Sequence, residues 1–532
     1  GQSTEADYLV IGAGSAGCVL ANRLTENNES TVTLVEAGGP DRWWNWKVHM
    51  PSALAYPLAD NKYNWAYFSE PEEHLDGRRM YCPRGKIWGG SSSINGMAYV
   101  RGHALDYERW SLVSGCEGWS YSECLPYFKK AESLDIGGDD YRGGVGPLQV
   151  TAGKMDNPLY RAWIDAGRQA GYPVTSDPNG YQQEGLGRMD MTVGCGRRSS
   201  AAQAYLRPSL KRKSLKIFSN TLVTKILIEG KRAVGVEIFK NGVTQKIFAA
   251  KEVILCAGAI STPQILMLSG IGPIDHLREI GINIKHDLPG VGLNLQDHLE
   301  TYVQQECKTK DTLYSYVNKL NMVRIGIQWF LNRSGPCSTS FLEAGGFCKS
   351  SPEREYPNIQ FHFFPAFVID HGLVDPDRHG YQLHASPNHP KSRGHITLNS
   401  SDPYDYPKIQ FNYLEHEDDL KQTIECIHVA RKILGQDSLK PFAGKEIGPG
   451  EHAQTNEVFE EYIRSKAETA YHPSCTLKMG VDNMAVVDQK LKVHGVENLR
   501  VVDASVMPEI TSGNLNAPTL MIAERASEFI LN

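Results

Sequence analysis

A chain of 532 residues with 41% hydrophobic composition can bury a large core and is too long for a scaffold stapled by a few cross-links. Its 55 Lys+Arg against 61 Asp+Glu give a net charge of -6 without long single-sign blocks, which excludes an electrostatic case for nucleic acid and favours a small-molecule partner. Eleven cysteines, scattered singly from Cys18 to Cys475 with no C-x-x-C pair, read as thiols from a reducing compartment rather than as a disulfide framework or metal site.

The chain opens with an apolar strand at Tyr8 to Ile11, a helix through Leu24 and a second strand at Thr31 to Val35, one βαβ unit. That strand leads to the expectation that the sequence as given holds no targeting segment ahead of it, with one removed beforehand left open. Gly12, Gly14 and Gly17 form G-x-G-x-x-G after the strand and at the start of the helix, and Glu36 closes the second strand. The glycines permit a tight turn and a close backbone approach to a pyrophosphate, the helix N-terminus supplies partial positive charge, and Glu36 can accept from ribose hydroxyls. This predicts dinucleotide binding and leaves FAD and NAD open.

Gly85 to Asn95, GKIWGGSSSIN, is a Gly/Ser-rich turn without the ending of a P-loop. Asp135 to Gly146 and Ser350 to Tyr356 read as surface loops. Val253 to Ile274 holds no charge, but three glycines, Pro263 and Pro273 make it a buried strand, turn and helix rather than a lipid-facing span. Val458, Phe459, Tyr462 and Ile463 mark an amphipathic helix before Tyr471-His472-Pro473, and Leu520, Ile522, Phe529 and Ile530 mark a terminal one. The expected organisation is α/β: a discontinuous Rossmann-like dinucleotide-binding domain from 5–150, 215–300 and 465–532, with 151–214 and 301–464 forming an inserted mixed-sheet substrate domain.

The runs VEAGG, PRGKIWGGSSSIN, GAISTPQILMLSGIG, LPGVGLNLQDHLE, AYHPSCTLKMG and SGNLNAPTLMIAE together resemble the glucose-methanol-choline (GMC) oxidoreductase family from Tyr8 to Ile530, most closely its choline-oxidising dehydrogenases. The resemblance implies FAD and oxidation of an alcohol, with proton removal from the hydroxyl and hydride transfer to flavin N5. It places Gly89, Gly90, Ser91, Asn95 and Met97 on the isoalloxazine side, Val223 by the adenine and Asp503 near the ribityl-pyrophosphate, with Asn516 as a further cofactor residue. Pro518 at the terminal helix start would leave free N–H groups and a positive dipole end for a reduced, anionic ring. His472 becomes the general base, with an imidazole suited to proton exchange near neutral pH, and Asn514 the amide that orients hydroxyl and alkoxide.

On the substrate side, Glu300 matches the carboxylate set against a trimethylammonium group, Tyr471 a cage wall, and His362 a further substrate-side histidine. Phe361, Phe363, Phe364 and Phe367 read as core. Gly96 and Leu342 stand where bacterial choline oxidases have serine and tryptophan. The resemblance implies choline as substrate, a quinone or oxygen as electron acceptor, and a mitochondrial, peripherally membrane-associated protein. Rival readings keep the fold but take an aryl, furan, sugar or fatty alcohol, or retain the flavin for lyase, decarboxylase or adaptor roles. Some relatives tether FAD through a histidine at the position of Ile94. Non-covalent FAD is expected here, and acid-precipitated protein should release all of its yellow colour; flavin mass retained on the polypeptide would contradict this.

Overall fold

The computed structural model describes residues 5–368 and 376–532. Two large sheets organise them, and their facing surfaces make the site.

The first sheet runs in the order Leu215–Phe218, Val32–Val35, Glu5–Ile11, Val243–Leu255, Arg232–Lys240, Leu222–Glu229. Its centre is parallel and apolar without alternation, because both faces are covered: Leu9, Val10 and Ile11 are at most 2% exposed. Val243–Leu255 does two jobs. Its first half closes an antiparallel hairpin with Arg232–Lys240, and Val253 to Leu255 pair in parallel with Leu499–Val501 from the far end of the chain. The terminal helix Asn516–Leu531 lies against the first helix, Ser15–Thr25, fastened by Arg23 Nε to Glu524 at 2.9 Å.

The second sheet is antiparallel, in the order Ala443–Gly448, Leu299–Cys307, Gly380–Pro387, Ile359–Phe364, Ala344–Cys348, Gly185–Arg188. Strand periodicity sorts its side chains onto two faces. Phe361 and Phe363 point away from the site and pack on Trp163 of helix Pro158–Gln169, with ring centroids 5.7 and 5.5 Å apart. The opposite face carries Glu300, Tyr302 and Gln304 from one strand, Gln360, His362 and Phe364 from another, and His384 and Ser386 from the strand between them.

The segment 135–146 departs from a simple surface loop. Arg142 is fully buried and binds Glu132 through Nε and Nη2 at 2.9 Å and Asp190 through Nη1 at 2.6 Å, while Arg101 also donates to Glu132. Several arginines and carboxylates can be buried together because each has an opposite charge in contact, which offsets desolvation. The network ties this segment to Asp190–Met191, which pairs with Ala98–Tyr99 just beyond the Gly/Ser turn. The uncharged run 253–274 forms the end of a strand and helix Gly258–Leu268, as its interrupted composition predicts.

Candidate active site

A cavity of about 1810 Å³ separates the two sheets, and most of the sequence-predicted residues line it. Gly12, Gly14, Glu36, Gly90, Ser91, Asn95, Met97, Val223, Asp503 and Asn516 form its nucleotide side; Glu300, His362, Tyr471, His472 and Asn514 form its other side. Gly17, Gly89 and Pro518 do not line it.

The glycines divide by function. Gly12 has φ +103°, and a Cβ there would lie 2.6 Å from the Cys256 carbonyl oxygen. A Cβ on Gly17 would meet Gly12 O at 1.8 Å, so Gly17 serves helix-to-strand packing. Gly14 is different: the nearest protein atom to its Cβ position is 3.8 Å away, so packing does not demand glycine there, and its bare backbone faces the cavity. That matches the role of the second glycine in admitting a pyrophosphate. Glu36 accepts from Ala13 N at 2.9 Å and Gly38 N at 2.7 Å, and burial pushes its carboxyl up to about 7.

Gly89 is buried behind the Gly/Ser turn with φ +92°, and its N–H reaches Ala13 O. The turn rests on a residue that sequence reasoning missed. Arg198 sends Nη1 to Asn95 Oδ1 at 2.9 Å and Asn95 O at 2.7 Å, and Nε to Val48 O at 2.8 Å; buried without a carboxylate, its guanidinium is lowered to about 9. Asp503 is fixed by Gly258 N at 3.0 Å, Thr262 Oγ1 at 2.8 Å and Ser505 N at 2.9 Å. The terminal helix begins at Asn516, with Pro518 its third residue, and Asn516 Oδ1 accepts from Ser15 Oγ at 2.8 Å, tying the two helix N-termini together. This bare-backbone, carboxylate-flanked trough fits FAD, with Gly14, Glu36 and Asp503 as the residues that would hold it.

On the other side, donors and acceptors dictate a single chain of hydrogen bonds. The Asn388 carbonyl can only accept, so His298 Nε2, 2.8 Å away, carries a proton. Burial lowers His298 to about 4, which keeps it neutral and leaves Nδ1 as an acceptor. His472 Nδ1, 2.8 Å from it, must donate. His472 is held well below the usual imidazole range by burial and by His298, His362 and Arg84, so its Nε2 is a lone pair. Asn514 Nδ2 faces that nitrogen at 3.2 Å, its Oδ1 accepts from Gln360 Nε2 at 3.1 Å, and Gln360 Nε2 also donates to His362 Nε2 at 3.1 Å. Asp297 fixes the backbone: its Oδ1 accepts from His472 N at 2.8 Å, and its Oδ2 from Thr469 and Tyr413 hydroxyls. The result is an unprotonated Nε2 and an amide N–H side by side in the cavity.

The same logic orients the groups around Glu300. Val368 N–H donates to Gln382 Oε1 at 3.0 Å, so Gln382 must turn its NH2 to His384 Nε2, 2.7 Å away. His384 in turn presents Nδ1 to Glu300 Oε1 at 3.4 Å. Tyr302 OH donates to the same oxygen at 3.1 Å. Burial raises the Glu300 carboxyl, but His384 and Tyr302 hold it below the usual carboxylate range. Phe364 and Phe367, expected as core, line the cavity with Tyr471, while Phe361 and Phe363 are core as expected. Gly96 abuts Leu342, whose Cδ1 lies 3.4 Å from a Cβ built at Gly96.

Models described as GMC oxidoreductase match residues 6–300 and 390–523. The chain belongs to the GMC oxidoreductase family. It is 53% identical over 533 residues to "Choline dehydrogenase, mitochondrial" of Homo sapiens, covering 99% of this chain and 90% of that one. It is 51% identical over 532 residues to "Oxygen-dependent choline dehydrogenase" of Pseudomonas fluorescens, covering 99% and 94%. Among solved structures, pyridoxine 4-oxidase from Mesorbium loti superposes with a TM-score of 0.89 at 30% identity, covering 98% of each chain. A formate oxidase of Aspergillus oryzae, studied for FAD modification, superposes at 0.92 with 27% identity over 99% and 98%. The protein is an FAD-dependent alcohol oxidoreductase.

The neutral histidine chain has a pH consequence. His298 and His362 are lowered to about 4 by burial from an ordinary value of 6.5, so between those limits the unfolded chain binds protons that the folded one does not. Folding stability should therefore fall as pH drops from 6.5 towards 4, and a His298→Gln, His362→Gln double variant should show a shallower fall in thermal-melt midpoint over that window. Equal slopes would mean that other groups carry the acid sensitivity.

Proposed function

We propose that this protein oxidises choline to betaine aldehyde, with His472 as the general base and Glu300 as the carboxylate that receives the trimethylammonium group. The observation that carries the reading is Glu300, a half-buried carboxylate held below the usual carboxylate range and so charged, on a cavity wall with Tyr302, Tyr471 and Phe364. A quaternary ammonium has no hydrogen to donate, so charge and aromatic faces must recognise it. The full-length likeness to proteins named choline dehydrogenase supports the same substrate.

Glu300 and His472 stand in a definite relation. His384 bonds Glu300 and lies opposite His362 in register; His362 leads through Gln360 and Asn514 to His472. A small amino alcohol with its cationic end at Glu300 would present its hydroxyl towards Asn514 and His472. His472 Nε2 takes the hydroxyl proton, the Asn514 N–H stabilises the developing alkoxide, and the His298 contact keeps the imidazole facing the substrate. Bound FAD supplies the hydride acceptor, and dissociable FAD agrees with Ile94 in the Gly/Ser turn. The human and mouse relatives carry the word mitochondrial in their names, and bacterial relatives match nearly as well, so the likeness transfers the chemistry rather than the compartment.

His472→Ala should lower turnover about 10²-fold or more with FAD still bound, the usual scale for losing a general base. Near-normal turnover at neutral pH would assign the proton to another group. Glu300→Gln keeps size but removes charge, and choline affinity should fall roughly tenfold or more, one decade being about 1.4 kcal/mol. The neutral isostere 3,3-dimethylbutan-1-ol should bind poorly to both proteins and lose little on substitution. Equal losses for the two compounds would return the substrate to an unspecified primary alcohol. Anaerobic reduction of the yellow protein by choline, followed by air or a quinone analogue, reads the electron acceptor.

A further inference from the structure

The hydrogen bonds around His472 run between two ends that lie outside regular structure. Asn388, whose carbonyl fixes the proton on His298, follows strand Gly380–Pro387, and Asn514, whose amide faces His472 Nε2, stands two residues before helix Asn516–Leu531. A chain of this kind can aim the imidazole only as well as its ends are held. The N–H side of Asn388 is held by Asn358 O at 2.8 Å. Its carbonyl shares a peptide plane with the nitrogen of His389, so a tether on His389 acts on that carbonyl too. At the other end, Gly513 leads into Asn514 with φ +85°, and a Cβ there would lie 2.7 Å from Val100 Cγ1 and 3.3 Å from Gln360 Nε2. This close-packed turn transmits the position of Ser512 to Asn514.

His389 and Ser512 meet on one carboxylate. Asp106, the third residue of helix Ala104–Leu112, is 3% exposed and lies outside the cavity wall, as do His389 and Ser512. Its Oδ2 accepts from His103 N at 2.9 Å and Ser512 N at 2.8 Å, and its Oδ1 from His389 Nε2 at 2.7 Å and Ser512 Oγ at 3.2 Å. Burial raises the Asp106 carboxyl, but His389 and these main-chain N–H groups hold it below the usual carboxylate range. A carboxylate can only accept, so His389 carries a proton on Nε2. Gly102 makes room: with φ +95°, a Cβ there would come within 3.1 Å of Asp106 Oδ2 and 3.3 Å of Thr511 Cβ. Donors from three separate stretches of chain thus converge on a single buried anion, and an amide, with its one oxygen, could not accept them all.

We propose that Asp106 is a positioning residue for the catalytic base: through His389 and Ser512 it fixes the Asn388 carbonyl and Asn514 relative to each other, and so the direction in which His472 Nε2 points. The inference rests on the reading of His472 as the base, and goes beyond it by assigning the aim of the imidazole to a group outside the cavity. Proton removal demands close alignment of base and hydroxyl, and small displacements cost rate steeply. Glu300 lies on strand Leu299–Cys307, which none of the Asp106 contacts reaches. Loss of the clasp should therefore slow the chemical step and spare substrate binding.

The test compares the flavin-loaded full chain with its Asp106→Asn, His389→Phe and His389→Gln variants. The phenylalanine keeps a ring beside Tyr356, whose centroid lies 5.3 Å from that of His389, but cannot donate; the glutamine amide still can. Asp106→Asn and His389→Phe should each slow anaerobic flavin reduction by saturating choline about tenfold or more, with the half-saturating choline concentration and the flavin content within about twofold of normal. His389→Gln should recover most of the rate. The double substitution should cost no more than the worse single one, because both break the same contact. Without any substrate, the N–H between His472 and His298 should give a low-field imidazole resonance in protein carrying isotope-labelled histidine, displaced in Asp106→Asn and His389→Phe and restored in His389→Gln. Should the buried Asp106→Asn fail to fold, His389→Phe, at a side chain 21% exposed, carries both measurements. An unchanged rate and resonance in His389→Phe would overturn the inference, as would a rate loss matched by loss of choline affinity or of flavin. Normal turnover of His472→Ala would remove the base reading and this inference with it, whereas a slow His472→Ala beside a normal His389→Phe would remove this inference alone.

Discussion

The Asn388 carbonyl oxygen sets the direction of every hydrogen bond in the catalytic wall. Because it can only accept, it fixes the proton on His298 Nε2, and each successive neutral group can then meet its neighbour in one way only, through His472, Asn514 and Gln360 to His362. Burial enforces neutrality by making a charged imidazole costly. A base is thus poised without a carboxylate partner, through tautomer control alone. Val368 N–H does the equivalent for Gln382, whose NH2 must then face His384 Nε2. Two main-chain groups thus fix the hydrogen-bond directions on this wall.

These two clamps can be built because the antiparallel sheet places alternate residues of three strands on one face, while the parallel sheet opposite presents bare backbone. The two surfaces carry opposite constraints. On the nucleotide side the chain withholds side chains, with Gly12 and Gly17 pressed against backbone so that Gly14 can remain open. On the substrate side it supplies polar side chains in register, and the fit of one depends on the orientation of the next. Arg198 and Asp297 are the braces: each lies behind a loop and holds main-chain groups rather than ligand.

How far this was legible in the sequence follows from range. The G-x-G-x-x-G turn with Glu36, the uncharged strand-turn-helix at 253–274 and the terminal helix depend on neighbours within a few residues, and local pattern reveals them. Glu300 and His472 come from motifs. His298 sits two residues before Glu300, a spacing that puts both on one face of an extended chain, so the run Asp297-His298-Leu299-Glu300 held a signal that went unread. Gln360, two residues before His362, held the same one. Gln382, two residues before His384, held it too, whereas Arg198 had no local signal, since its contacts to Asn95 and Val48 span more than a hundred residues. Arg142 was hidden for the opposite reason: its glycine-rich, polar surroundings look like a surface loop, and only its ion pairs with Glu132 and the more distant Asp190 reveal that it is buried.

The relay behind His472 ends in a wall. A proton that arrived on Nε2 could be shared inward as far as His298, but there the last hydrogen bond points to an amide oxygen of the main chain, which is far too weak a base to accept a proton and has no exchangeable hydrogen to pass on. The chain is a gimbal rather than a wire. The proton removed from each substrate molecule therefore leaves His472 from Nε2, on the cavity side, so every turnover resets the base from the side on which it acts.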